Sequence, residues 1–356
     1  MHEGNEVSQE IDNWLSRYEL RQHLGQGGMG VAYLAEDKAR NNALCVLKQL
    51  TISEATPEEL ADAERFFKRE VDILRRLSHP GIVRFFDACV TQNREYFLVM
   101  DYIPGNNLEE IIKSWGCFSS EATVEIGIQC CEILEYLHEH DPPIIYRDLK
   151  PSNLMLTPEG QIVFIDFGIA RSILPRQAAT RVVTTGYSPP EQYFGRPEPR
   201  SDLYALGATL GQLVTGLRPK PLSVSAPAQV KRDVLLSLDG LIRRLTAHSP
   251  EDRPSSARAV RYELYRIYHE IHPDFVVPEE AMVSANQLND SRFISGRHSE
   301  LPQLTRLLQE NSTLGGSRVK KSLPKMISAN SNESAPDNQH STIWLGIKRL
   351  FQIFRP

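Results

Sequence analysis

At 356 residues the chain is longer than a typical single domain, which implies one large two-lobed domain with an appendage, or two domains. Hydrophobic residues at 41% and charged ones at 24% are ordinary for a globular protein, and a formal net charge of −5 provides no global basic field to attract nucleic acid. Cys45, Cys89, Cys117, Cys130 and Cys131 form no CxxC pair, so the cysteines read as free thiols in a reducing cytosol rather than a disulfide framework.

The opening MHEGNEVSQEIDNWL is acidic and lacks the apolar stretch of a signal peptide. No run approaches the roughly 20 apolar residues that span a bilayer. The expected location is therefore cytoplasmic. Residues 1–17 read as an N-terminal extension, and residues 18–100 mainly as short strands: Tyr18–Leu24, Val31–Ala35, Leu44–Leu50, Ile82–Ala88 and Tyr96–Met100. One helix interrupts them. Thr56 is placed as N-cap, Pro57 at N1 and Glu59 at N3 of a capping box, and Phe67, Val71 and Leu74 recur on one face.

Beyond Pro104-Gly105 the pattern turns helical. Val124, Ile128, Cys131 and Leu134 mark one stripe of a helix running to about His138. Two short strands, Asn153–Leu156 and Gln161–Ile165, flank the turn Thr157-Pro158-Glu159-Gly160. Helical patterns then cover Asp202–Thr215, Val230–Ala247 and Ala257–Ile271. From Asn311 to Ser341 the chain is rich in Ser, Asn, Pro and Lys, which favours a flexible tail.

Several segments carry chemistry. Gly25-Gln26-Gly27-Gly28-Met29-Gly30 spells GxGxxG, which dinucleotide-binding folds also use. The Rossmann version opens a helix, whereas here Val31-Ala32-Tyr33-Leu34 continues as a strand. A glycine hairpin between strands lets backbone amides approach phosphates without Cβ atoms in the way; a plain flexible β-turn is the other reading. In Cys45-Val46-Leu47-Lys48, alternation puts Val46 and Lys48 on one face. A lysine closing an apolar run needs an anionic partner if buried, and Glu70 on the expected helix is a candidate; a solvated Lys48 is the alternative.

These segments are followed by Tyr146-Arg147-Asp148-Leu149-Lys150-Pro151-Ser152-Asn153 and Asp166-Phe167-Gly168. In that order and spacing they resemble the eukaryotic-type (Hanks-type) serine/threonine protein kinase family, over roughly residues 18–272. GQGGMG, PPEQY and SDLYALGATL are similar to its bacterial branch. The resemblance implies an α+β, two-lobed kinase fold. Its small β-rich N-lobe would span about 18–103, its larger helical C-lobe about 104–272, and a tail 273–356. It further implies a serine/threonine protein kinase that transfers the ATP γ-phosphate to proteins, itself included, with Mg²⁺ or Mn²⁺ as cofactor.

By the same resemblance, Leu24, Gly25, Gly27, Gly28, Gly30, Ala32, Val46, Lys48, Met100, Asp101 and Ile103 would line the nucleotide, with backbone groups of Asp101 and Ile103 meeting adenine. Lys48 would pair with Glu70, and Asp148 would accept the substrate hydroxyl's proton. Lys150 would sit near the γ-phosphate, and Asn153 and Asp166 would supply hard oxygen ligands to the metal. Thr184–Glu191 resembles the substrate-binding segment ending in APE, and Ser201–Gly207 the buried helix whose aspartate braces the catalytic loop. Arg253 is the expected partner of Glu191.

The departures are specific. Tyr146 replaces histidine, Ala32 a valine, Val46 an alanine, Pro189 the alanine of APE, and Thr185 a residue that is often proline. None removes a group that does chemistry, and Ala32 with Val46 would compensate in volume. Arg147 beside Asp148 accompanies control by activation-loop phosphorylation; Ser172, Thr180, Thr184 and Thr185 are the hydroxyls, with Thr180 and then Thr184 as the regulatory choices. In the tail, Trp344, Ile347, Leu350, Phe351 and Phe354 recur at helical spacing among Lys348, Arg349 and Arg355. Trp344–Pro356 would lie on a membrane surface, dock into a partner, or pack back on the domain. A pseudokinase scaffold or nucleotide sensor is the competing function; its usual mark is loss of the strand lysine or a catalytic aspartate, and Lys48, Asp148, Asn153 and Asp166 are all present.

Overall fold

A computed structural model of the chain describes residues 14–27, 30–50, 57–91, 95–167 and 185–278. Five antiparallel strands form the first lobe: β1 (Tyr18–Gly27), β2 (Gly30–Asp37), β3 (Ala43–Leu50), β4 (Phe85–Val90) and β5 (Tyr96–Asp101), in the order β1-β2-β3-β5-β4. Alternation along β3 splits this sheet into two faces. Cys45 and Leu47 join Tyr18, Ala35, Phe97 and Val99 on the outer face, while Leu50 joins Leu98 and Met100 on the inner one. Helix α1 (Pro57–Arg76) covers the inner face with Ala63, Phe67 and Val71, and Phe67 meets Tyr96 edge-on at 5.1 Å.

The outer face has a cover that the sequence reading treated only as an extension. Trp14 and Leu15 pack on it, and Trp14 Nε1 donates to Asp87 Oδ2 at 2.9 Å. Arg17 holds both oxygens of the fully buried Asp37 at 2.6 Å. Without these residues Phe97 and Val99 would face water.

The second lobe begins with a short strand β6 (Asn106–Asn107) and helix α2 (Leu108–Trp115), which Asn107 and Glu110 close with a capping box. Helix α3 (Ser120–His138), capped by Ser119, is buried around most of its circumference; the expected stripe is only part of its apolar surface. Strand β7 (Leu154–Leu156) pairs antiparallel with β6 on one side and with β8 (Ile162–Phe164) on the other. Then come α4 (Pro190–Tyr193), α5 (Pro199–Thr215), α6 (Pro227–Val230), α7 (Leu236–Leu245) and α8 (Ala257–Ile271). Helix α5 is buried without a break from Ser201 to Val214, so its few polar side chains, Asp202 and Gln212 among them, lie inside the lobe. Phe275 and Val277, beyond α8, still pack against this core.

Two expected elements differ. Ile82 and Val83 do not start β4; instead Val83 N donates to Phe164 O at 3.0 Å and Phe164 N to Gly81 O at 2.8 Å, a parallel bridge joining the lobes. Their apolar character serves that joint. Where one helix is expected over Val230–Ala247, α6 ends at Val230, Lys231 is extended and α7 starts at Leu236; Asp239 Oδ1 of α7 accepts from Ala228 N in the first turn of α6 at 2.8 Å. The N-cap residue Thr56 lies outside the described residues, although α1 does start at Pro57.

Candidate active site

In the first lobe, the hairpin register pairs Gly25 with Ala32 and Gly27 with Gly30. Gly30 has φ +140°, and a Cβ there would lie 1.9 Å from Gln49 O, so no other residue fits without moving the strand. At Gly25 a Cβ would meet nothing within 4 Å; the space beside this strand is open. Ala32 pairs with Lys48, Lys48 with Leu98, and Val46 with Leu34 and Met100. Directly paired residues share a face, so Ala32, Val46, Lys48 and Met100 look toward the same side as the inner core.

In the second lobe, the segment after α3 carries the polar groups. Asp148 has a fully buried side chain, and its Oδ2 accepts from Lys150 Nζ and from Asn153 Nδ2, each at 2.9 Å. Asn153 Nδ2 also donates to Asp148 O at 2.9 Å, so its amide nitrogen is committed and its carbonyl oxygen faces away from Asp148. Across the cleft, Asp166 Oδ2 takes Lys48 Nζ at 2.6 Å. An amide oxygen and a carboxylate are hard donors of the kind a small divalent cation selects, so the residues fit such an ion.

The loop bearing Asp148 is strained and braced. Arg147 has φ +66°, which costs a non-glycine residue about 1 kcal/mol or more. Asp202 of α5 holds it: Oδ2 accepts from Tyr146 N and Oδ1 from Arg147 N, both at 2.8 Å. His138 Nε2 stands 2.9 Å from the same carboxylate. Tyr146, fully buried, lies 4.7 Å from the Phe164 ring and 5.1 Å from Phe167. Burial, reinforced by Asp166 and Asp148, pushes its phenol well above the ordinary value, so the ring stays neutral.

A second brace fixes the segment after Thr185. Arg253, with no exposed side-chain surface, reaches Glu191 with both terminal nitrogens, at 2.6 and 3.0 Å. Ser201 Oγ adds a third bond at 2.7 Å. Burial works against the Glu191 carboxylate, but the Arg253 and Ser201 hydrogen bonds outweigh it and leave its pKa below the usual range. Tyr187 OH donates to Gln212 on α5.

The structure thus brings Lys48, Asp148, Lys150, Asn153 and Asp166 together, and the Asp202 and Arg253 pairs are where the sequence led one to expect them. Lys48 Nζ is paired with Asp166 Oδ2. Glu70 is half-buried on α1. His138 was missed, since it closes an apolar helix and only α5 reveals its role. Gly28, Gly168, Thr180, Thr184 and the tail from residue 279 onward lie outside the described residues.

A glycine hairpin over a β-rich lobe, facing a braced Asp148 loop on a helical lobe, defines the two-lobed α+β kinase class. Comparison with known proteins agrees. The family model described as protein kinase domain matches residues 18–264. A probable serine/threonine-protein kinase of Clostridium perfringens is 34% identical over 269 residues, covering 71% of this chain and 38% of that protein. Serine/threonine-protein kinase PknB of Mycolicibacterium smegmatis is 32% identical, covering 72% of this chain and 44% of its own. PknA of Nostoc is 33% identical over 71% and 47% respectively. The chain therefore spans less than half the length of these curated relatives. Among solved structures, the Mycobacterium tuberculosis PknI kinase domain superposes with TM-score 0.57 at 26% identity, covering 70% of this chain and 96% of that one. The apo form of PpkA-294 shares the fold, at TM-score 0.59 and 20% identity. The chain belongs to the protein kinase domain family.

Proposed function

We propose that the chain transfers the γ-phosphate of ATP to serine and threonine hydroxyls of proteins, including itself. The observation that carries this reading is the single hydrogen-bonded unit of Asp148, Lys150 and Asn153 on a strained loop held by Asp202. Asp148 receives the substrate hydroxyl's proton and aims the oxygen in line; because transfer is largely dissociative, aim matters more than basicity. Lys150 neutralises charge on the moving phosphoryl group, and Lys48 steadies the α- and β-phosphates beneath the hairpin. Leu24, Ala32, Val46 and Met100 enclose adenine, with backbone groups of Asp101 and Ile103 bonding its edge. Asn153 and Asp166 would hold Mg²⁺, which when bound neutralises the triphosphate.

Regulation and partners follow from the same reading. Phosphate on Thr180 would pair with Arg147. The substrates are proteins, and Trp344–Pro356 is proposed as a membrane-surface or partner contact. No helix of the described residues is long and apolar enough to cross a membrane. The test is incubation with γ-labelled ATP and Mg²⁺, then phosphoamino-acid analysis. Phosphoserine and phosphothreonine are expected; label confined to phosphotyrosine would overturn the serine/threonine specificity, and tight ATP binding without any transfer to generic substrates would favour the scaffold or sensor reading.

A further inference from the structure

Arg147, at φ +66° just before Asp148, is held through both of its backbone polar groups. Its N–H donates to Asp202 Oδ1 on α5 at 2.8 Å, and its C=O accepts from Gln192 Nε2 on α4 at 3.1 Å. The same Gln192 nitrogen donates to Ser188 Oγ at 3.3 Å. A carboxamide nitrogen carries two N–H donors and a backbone carbonyl can only accept, so Arg147 O dictates which end of the amide faces the loop. One side chain thus divides its two donors between the loop that bears Asp148 and the segment that leads into α4.

That segment is itself pinned to the lobe. Gly186 has φ +95°, and a Cβ there would lie 2.5 Å from Pro219 O. Tyr187 OH donates to Gln212 of α5, and Ser188 is buried. Glu191, the residue before Gln192, is clamped by Arg253 and Ser201. Gln192 therefore projects from a fixed base, and its bond to Arg147 carries that fixity across to the strained loop. Asp202 holds the N–H side of Arg147 from the core, and Gln192 holds the C=O side from the segment that the kinase reading assigns to the peptide substrate.

We infer that Gln192 is a positioning residue for phosphate transfer, tying the aim of Asp148 to the seating of the segment before α4. The inference rests on the transfer activity proposed above. Gln192 acts through the Arg147 carbonyl, so its loss is felt in turnover and not in ATP binding. In-line attack tolerates little misplacement, which makes a single bond at this point visible in kcat.

The experiment measures kcat, KM for ATP and melting temperature of the full chain with a generic protein substrate. Gln192→Met keeps the length of the side chain and removes both donors; Gln192→His returns one N–H at similar reach. Q192M is expected to lower kcat about three- to tenfold, the effect of one neutral hydrogen bond, with KM for ATP and melting as in wild type. Q192H is expected to recover most of that loss. An active wild type matched by Q192M in kcat would overturn the inference and leave the kinase reading standing, whereas a wild type without transfer overturns both. A rise in KM for ATP that accounts for the change would place Gln192 in nucleotide binding and overturn the positioning role. If Q192M melts below wild type, Q192H decides: recovered kcat supports the inference, and kcat as low as that of Q192M overturns it.

Discussion

Arg147 holds φ +66° immediately before Asp148, the residue proposed to receive the substrate hydroxyl's proton, and both carboxylate oxygens of Asp202 accept from the backbone N–H groups there. Removing that carboxylate strands two backbone N–H groups in a buried site, at about 1–3 kcal/mol each. Asp202→Ala is therefore expected to lose about 3 kcal/mol of unfolding free energy and to cut transfer more than tenfold, read by denaturant titration and by kcat. Unchanged stability would mean the loop holds its shape alone. Glu191 offers a pH test. Its pKa lies below that of an unfolded glutamate, about 4.3, so its share of stability is full above that value and lost as pH falls through the lower folded value. Glu191→Gln is expected to cost about 3–5 kcal/mol at neutral pH, because Arg253 is left buried without its charge partner. It should also flatten the acid limb of the melting profile; a wild-type acid limb in the variant would contradict the assignment.

At the scale of elements, the glycine hairpin is the most sensitive part. Gly30→Ala puts a Cβ where Gln49 O stands, so either β2 or β3 must shift. The expected result is a rise of about tenfold in KM for ATP with a loss of about 1–3 kcal/mol in stability, measured by kinetics and thermal melting. An unaltered KM would remove the hairpin from the nucleotide site. Helix α1 was readable from Pro57 and the Phe67, Val71, Leu74 face, because start signals and periodicity are local. The β4 start was not, since Ile82 and Val83 spend their backbone on Phe164 in the other lobe. Nor was the break after Val230, where Lys231 turns extended between two helical patterns that run on in the sequence. The Trp14–Arg17 cover escaped because its partners Asp37 and Asp87 are specified by the sheet, not by neighbouring sequence. The candidate site was more legible than the fold around it. Its groups sit in contiguous motifs, whereas the Lys48–Asp166 pair and His138 depend on how lobes and helices meet.

For the whole molecule, the account rests on two lobes that converge on one cleft. The first lobe contributes Lys48 and the hairpin, the second contributes Asp148, Lys150 and Asn153, and the Gly81–Val83 bridge to Phe164 ties them. Tyr146 sits at that junction between Phe164 and Phe167 as a neutral, buried ring. The most direct test compares wild type with Asp148→Asn for phosphate transfer from γ-labelled ATP and for ATP affinity. The account predicts that the variant binds ATP as wild type does while transfer falls by about 10²–10⁴, the usual worth of a positioned general base. Transfer at the wild-type rate by a folded Asp148→Asn protein would contradict it.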